Sequence, residues 1–285
     1  MDVDEDRELL PQNALKGVSV GISVSESADL SQLGLVENHF RLAIAEIART
    51  VLVSGGDIFY GGHLRPHGYT VFLLEELQKY GRRDRPLKVC LNWAEHQLLS
   101  DEELEVQREN LGLSGELIFL SADDSPVQLT RRTEDRPTEF SADEKTQALS
   151  ALRRFLAENT RARIVLGGKR EGFQGAIPGL IEEALFSVES GNPLYLAGGF
   201  GGVTLDLLEA INPELVSWFP ARNTEPDERL QKGISNLREA IERTGWRLDG
   251  NGLTNEENAL LAATYRPSEI AALVGLGLGR LNLRD

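Results

Sequence analysis

Cysteine is almost absent: Cys90 has no partner in the chain, so no disulfide framework can hold the fold, and a reducing compartment is expected. Long apolar runs are missing too. No stretch approaches the ~20 residues that cross a bilayer, and the opening Met1-Asp2-Val3-Asp4-Glu5-Asp6 is acidic where a signal peptide would be basic. The sequence therefore predicts a cytoplasmic protein with no membrane partner. Positive charge is also short. The 30 Lys and Arg residues against 45 Asp and Glu leave a net charge of −15, which repels a phosphate backbone at long range and disfavours nucleic acid as the main partner. A small phosphorylated ligand stays open, because local donors decide its binding.

Several catalytic signatures are missing as well. There is no Gly-x-x-x-x-Gly-Lys-Ser/Thr phosphate loop, no Gly-x-Gly-x-x-Gly after the first strand and no Gly-x-Ser-x-Gly elbow. ATPase, ordinary dehydrogenase and serine-hydrolase chemistries are disfavoured accordingly, and no cofactor is expected. The four histidines are His39, His63, His67 and His96. His63 and His67 stand four apart, but Pro66 and Gly68 break the helix that would align them, so no metal site is expected.

What is present is an ordinary globular composition, 41% apolar and 26% charged, patterned as alternating strands and helices. A buried strand is predicted over Val18–Val24, then a helical period through Phe40, Ala43, Ile44, Ile47, Ala48 and Val51. Strand Asp57–Tyr60 and an amphipathic segment Tyr69–Tyr80 follow, then strands at Leu87–Trp93 and Glu116–Leu120 flanking a charged segment. Residues 121–141 read as a long exposed loop. A helix over Asp143–Asn159, a strand over Arg163–Leu166, a helix after Pro178 and a strand over Pro193–Ala197 complete the pattern. The fold class is α/β: a Rossmann-like, mostly parallel sheet sandwiched by helices, with a helical C-terminal layer. The expected organisation is an acidic arm over 1–16, the Rossmann-like domain over 17–210, and a helical extension over 211–285 packed on it.

Three predicted strands end in paired glycines: Gly61-Gly62, Gly167-Gly168 and Gly198-Gly199, the last continuing as Phe200-Gly201-Gly202. A Gly-Gly turn can simply supply positive φ, but ligands of parallel sheets bind at this carboxyl edge, where turn N–H groups can cradle an anion. Beside these turns, Ser23, Ser25 and Glu26 crown the first strand, His63 and Arg65 follow the first glycine pair, and Asn92 ends the third strand. Lys169 and Arg170 follow the second pair, and Gly175 and Gly179 lead into a helix carrying Glu182 and Glu183. Adjacent residues point about 100° apart on a helix, so one of the two carboxylates can face the cleft. Such a carboxylate could attack an anomeric carbon or stabilise an oxocarbenium ion, or merely favour the helix N-terminus.

The ordered set Gly21-Ile22-Ser23-Val24-Ser25-Glu26-Ser27, Tyr60-Gly61-Gly62-His63, Ile164-Val165-Leu166-Gly167-Gly168-Lys169, Pro178-Gly179-x-x-Glu182-Glu183 and Tyr195-Leu196-Ala197-Gly198-Gly199-Phe200-Gly201-Gly202 resembles the SLOG superfamily over roughly residues 17–210. That superfamily groups the DNA-processing protein Smf/DprA and the LOG proteins with sensor domains of Thoeris defence effectors. The resemblance implies a Rossmann-like fold that binds a nucleotide-derived small molecule, ADP-ribose-like or cyclic, in prokaryotic antiviral defence signalling. A homo-oligomer and a separate effector protein partner are the corresponding expectations. It also implies an alternative: LOG-type and deoxyribosyltransferase-like enzymes cleave N-glycosidic bonds, with Glu182 or Glu183 as the carboxylate. The segment Gly175–Glu182 keeps a Glu but departs from the LOG pattern Pro-Gly-Gly-x-Gly-Thr-x-x-Glu, which favours binding over turnover.

Overall fold

A computed structural model describes residues 11–62, 68–79, 82–128, 137–220 and 227–283. Small and β-branched residues make β1 (Ser19–Ser25), and a helix α1 (Glu37–Val53) follows. Then come β2 (Asp57–Tyr60), α2 (Tyr69–Gln78), β3 (Leu87–Leu91), a single turn α3 (Trp93–His96), α4 (Asp101–Leu111) and β4 (Gly115–Leu120). A short β5 (Pro126–Val127) leads to α5 (Ala142–Glu158), β6 (Ala162–Gly167), α6 (Gly179–Glu189) and β7 (Leu194–Ala197). The helices α7 (Val203–Ile211), α8 (Glu228–Thr244), α9 (Asn255–Ala263) and α10 (Pro267–Asn282) complete the described chain.

The strands form one sheet in the order β5-β4-β3-β2-β1-β6-β7. All neighbours are parallel except β5, which runs antiparallel to β4. The chain thus starts mid-sheet, winds outward to β4, and returns through α5 to lay β6 beside β1.

Strand alternation sorts the core into two layers. Val20, Ile22 and Val24 of β1 join Ile164 and Leu166 of β6 in one apolar cluster, packed by Phe40, Ile44 and Ile47 of α1 and Ile270, Val274 and Leu278 of α10. On the opposite face, Val165 of β6 and Leu194 and Leu196 of β7 pack with Ile181 and Ala184 of α6 and with α7 and α8. The helices that follow β1 and β6 therefore leave on opposite faces. The carboxyl ends of β1 and β6 are therefore the switch point of a doubly wound sheet, the place where such folds hold a ligand crevice.

Four elements differ from the sequence reading, the first being the third strand, which stops at Leu91 while Trp93 starts α3. The charged segment after β3 is α4, begun by a capping box in which Ser100 and Glu103 bond each other's backbone N–H groups. Only Leu104 and Leu111 of that helix are buried, so its apolar period is thin. The predicted loop over 121–141 contains β5, a two-residue edge strand too short to show alternation; residues 129–136 lie outside the described residues. The turn after Gly202 starts α7, which Asn212 ends.

Cys90 packs in a cluster with Leu120 of β4 and Leu152, Phe155 and Leu156 of α5. Burial pushes its thiol well above the ordinary range, and thiolate is the reactive form. Cys90 is expected to resist iodoacetamide in the native protein at pH 8 and to react once denaturant unfolds it. Mass spectrometry of the alkylated chain checks this, and rapid native labelling would contradict the packing.

Candidate functional site

The crevice begins where β1 and β6 end side by side. Gly168 N–H donates to the Ser25 carbonyl at 3.0 Å, and Lys169 N–H donates to Ser25 Oγ at 3.3 Å. Gly167 and Gly168 hold φ of 65° and 109°, conformations that side chains disfavour. A Cβ on Gly168 would also lie 2.7 Å from Val203 Cβ, so this turn has no room for one. Above it, Lys169 Nζ meets Glu26 Oε2 at 3.0 Å, with side chains 48% and 68% exposed. Ser25, Glu26 and Lys169 thus form an accessible rim joining the two strand ends.

Below the rim lies a buried ionic cluster. On its α6 side β1 presents small residues, Gly21 and Ser23 among them, and the space is taken by Arg163 of β6. A Cβ on Gly21 would sit 3.1 Å from the guanidinium carbon. Arg163, fully buried, donates from Nε to Ser187 Oγ at 2.7 Å and from Nη1 to Ser23 Oγ and Glu183 Oε2, each at 3.0 Å. Among the described residues its Nη2 has no hydrogen-bond partner. Burial lowers the arginine's pKa, and the Glu183 charge opposes that shift. Ser23 also donates to Glu183.

Glu182 turns the other way, toward α5, where Arg153 and Ser150 bond its two oxygens. Gly179 makes room for this, since a Cβ there would strike the Arg153 guanidinium; Gly175, at φ 109°, would bring a Cβ within 3.2 Å of Arg153 Nη1. The two candidate carboxylates therefore diverge as helix geometry demands, and each is matched by an arginine. These contacts fix both carboxylates as hydrogen-bond acceptors.

The third strand end has a different character. Phe200 is fully buried, its ring set edge-on to Phe40 at 5.3 Å, so it offers no face to a ligand. Gly198 and Gly199 pass beneath the C-terminal helices: a Cβ on Gly199 would overlap the Thr264 carbonyl, with Tyr265 N 2.7 Å away. Gly201 and Gly202, with φ of 74° and 70°, start α7. The Gly202 N–H is bonded by Asp29 Oδ2 at 2.7 Å. Arg170 secures the same turn: Nη1 donates to Asp29 Oδ2 at 2.7 Å, Nε to Asp206 Oδ2 at 2.8 Å and Nη2 to the Gly202 carbonyl at 2.7 Å. At this turn the carboxylate that meets the glycine N–H is the chain's own, from Asp29.

At the second strand end, Gly61 passes under Leu156 of α5 and Gly62 lies against Tyr60 and Thr70. Tyr60 is buried, and its hydroxyl pKa is raised by that burial and by the charges of Glu183 and Glu95. Asn92 caps α3, its side chain accepting from Glu95 N–H at 2.9 Å. His63 and Arg65 lie outside the described residues.

The crevice thus gathers Ser23, Ser25, Glu26, Gly167, Gly168, Lys169 and Glu183, and leaves Gly199 and Phe200 in the packing beneath the C-terminal helices. Arg163 and Asp29 were missed. An arginine inside the run Ala162-Arg163-Ile164-Val165-Leu166 is a sequence signal for a buried counter-charge; for Asp29, in a polar loop, no such signal exists. A cavity of about 660 Å³ touches Val188, Pro193 and Trp246 at the opposite end of β7, away from the switch point. Among the described residues no cluster of three His, Cys, Asp or Glu side chains could hold a metal ion, and no helix is long and apolar enough to cross a membrane.

The family model described as SLOG cluster2 matches residues 14–261, which takes in every strand of the sheet and the whole crevice. No curated protein matches the chain.

Proposed function

The chain belongs to the SLOG cluster2 family, and from that premise we propose that it binds a nucleotide-derived small molecule, ADP-ribose-like or cyclic, in the crevice between β1 and β6. Family membership supports the coarser reading, nucleotide-related binding or glycosidase-like function. The observation that carries the finer one is the rim itself: Ser25 and Lys169 brought together at the switch point over a glycine turn too tight for a side chain. A phosphate would lie along this rim, and Glu183 would accept from ligand hydroxyls below it. The defence setting, an effector partner and a symmetric homo-oligomer rest on the family resemblance and on the general prevalence of closed oligomers.

Calorimetry with ADP-ribose derivatives and cyclic nucleotides tests this reading; a folded protein that binds none of them would sink it. Lys169→Ala is expected to weaken an anionic ligand about tenfold, the low end of a charge-assisted hydrogen bond since the side chain is half exposed. Titration of the variant beside the wild type gives the ratio.

One feature favours cleavage of an N-glycosidic bond as the second reading. Glu183 Oε1 lies 3.9 Å from Arg153 Nε, beyond hydrogen-bond range, and among the described residues no hydrogen bond to it is seen, so one lone-pair direction is uncommitted. Release of free base from a nucleotide panel, lost in Glu183→Gln, would establish turnover; a ligand unchanged after prolonged incubation would exclude it.

A further inference from the structure

The rim contains an anion of its own. Glu26 leaves the end of β1 and pairs with Lys169, the one cation placed at the mouth of the crevice among the residues gathered there. Any phosphate that uses Lys169 meets this carboxylate first.

The same loop carries a second acid three residues on, and the contrast between the two decides what can move. Asp29 is 9% exposed and takes bonds from the Gly202 N–H and from Arg170, which is itself tied to Asp206. A Cβ on Gly201 would lie 2.6 Å from Asp29 Oδ2, so the turn is shaped to this carboxylate. Breaking such a contact strands buried charge. Glu26 has none of these ties: its bridge is exposed on both sides, the class of ion pair that contributes least to stability. Asp29 therefore anchors the loop while Glu26 is free to swing out.

Resting on the binding reading above, we infer that Glu26 is an internal competitor for the anion subsite at Lys169 and thereby a specificity-determining residue. A ligand anion exchanges for the Glu26 carboxylate, so charge at Lys169 is conserved and the exchange is open to phosphorylated ligands. A neutral nucleoside offers nothing in exchange and leaves the pair closed.

The test is isothermal titration of the full chain with inorganic pyrophosphate, ADP-ribose and adenosine. Glu26→Gln is expected to tighten pyrophosphate and ADP-ribose roughly two- to fivefold, the strength of an exposed pair expressed as affinity, and to leave adenosine unchanged. In a Lys169→Ala background the gain should vanish, because there is no cation left to compete for. Glu239→Gln removes an exposed charge on α8 and controls for net charge; it should change nothing. If Lys169→Ala weakens ADP-ribose while Glu26→Gln leaves it unchanged or weakens it too, the competitor role is overturned and the binding reading stands. If neither ADP-ribose nor pyrophosphate binds wild type or Glu26→Gln, both fall together. A gain of equal size in Glu239→Gln would assign the effect to bulk charge and overturn the inference alone.

Discussion

Gly199→Val is expected to unfold the protein or strip the C-terminal helices from the sheet, rather than to empty a ligand site. The added Cβ would overlap the Thr264 carbonyl and crowd Tyr265 N at 2.7 Å. Both are backbone atoms of the connection between α9 and α10, so no rotamer change relieves the contact. Gly198 is equally confined, 2.5 Å from Leu208 Cδ1 on its other side. Overpacking a core costs about 1–3 kcal/mol when side chains can adjust; with backbone on one side, a loss of about 3 kcal/mol or more is expected, a large part of a domain's total stability. Urea denaturation followed by circular dichroism measures it. Gly250→Ala is the control: its Cβ has open space within 4 Å, and the change should stay within about 0.5 kcal/mol. Equal stability of Gly199→Val and wild type would mean that the C-terminal helices do not sit where described. Loss of ligand binding in this variant is therefore no evidence for a glycine-turn site, whereas Lys169→Ala and Glu26→Gln act on exposed side chains and report on binding directly.

The strand ends show why the sheet was legible and the site only partly so. Strand β6 and helix α5 were recognisable because burial writes itself into local sequence: Ile164-Val165-Leu166 and the period through Ala148, Leu152 and Phe155 each declare one face. Paired glycines likewise marked the carboxyl edge of the sheet, as expected for tight turns. What a glycine is small for does not appear in its own neighbourhood. Gly61 makes way for Leu156, Gly179 for Arg153, Gly199 for the Thr264 carbonyl and Gly21 for Arg163, a partner 142 positions away for the last pair. Three equivalent-looking turns thus separate into one at the switch-point crevice, one against α5 and one under the C-terminal helices. Strand order makes that separation, since it alone puts β1 next to β6. The pairing of acids with bases was hidden for the same reason. Glu26 and Lys169 look like two solvated charges in sequence and become one gate only when their loops meet.

Arg163→Met is expected to be the most damaging change in the ionic cluster. The guanidinium is fully buried and donates to Ser187, Ser23 and Glu183, so its loss leaves the Glu183 carboxylate facing the sheet with Ser23 and, 3.9 Å away, the Nε of Arg153, whose Nη1 is engaged with Glu182. Removing one partner of a buried pair costs about 3–5 kcal/mol, because the remaining charge is stranded. Ser187→Ala, which removes only one neutral acceptor, should cost nearer 1 kcal/mol. The decisive variant is the double change Arg163→Met with Glu183→Gln. If stranded charge is what destabilises Arg163→Met, neutralising Glu183 should return about 1–3 kcal/mol, a coupling that a double-mutant cycle reads from chemical denaturation. If the losses simply add, Arg163 acts through packing over Gly21 and the charge pair contributes little. The same cycle separates the roles of the crevice carboxylate. A double variant that regains stability yet does not bind ADP-ribose would assign the Glu183 carboxylate to the ligand, and one that regains both would make it a structural counter-charge.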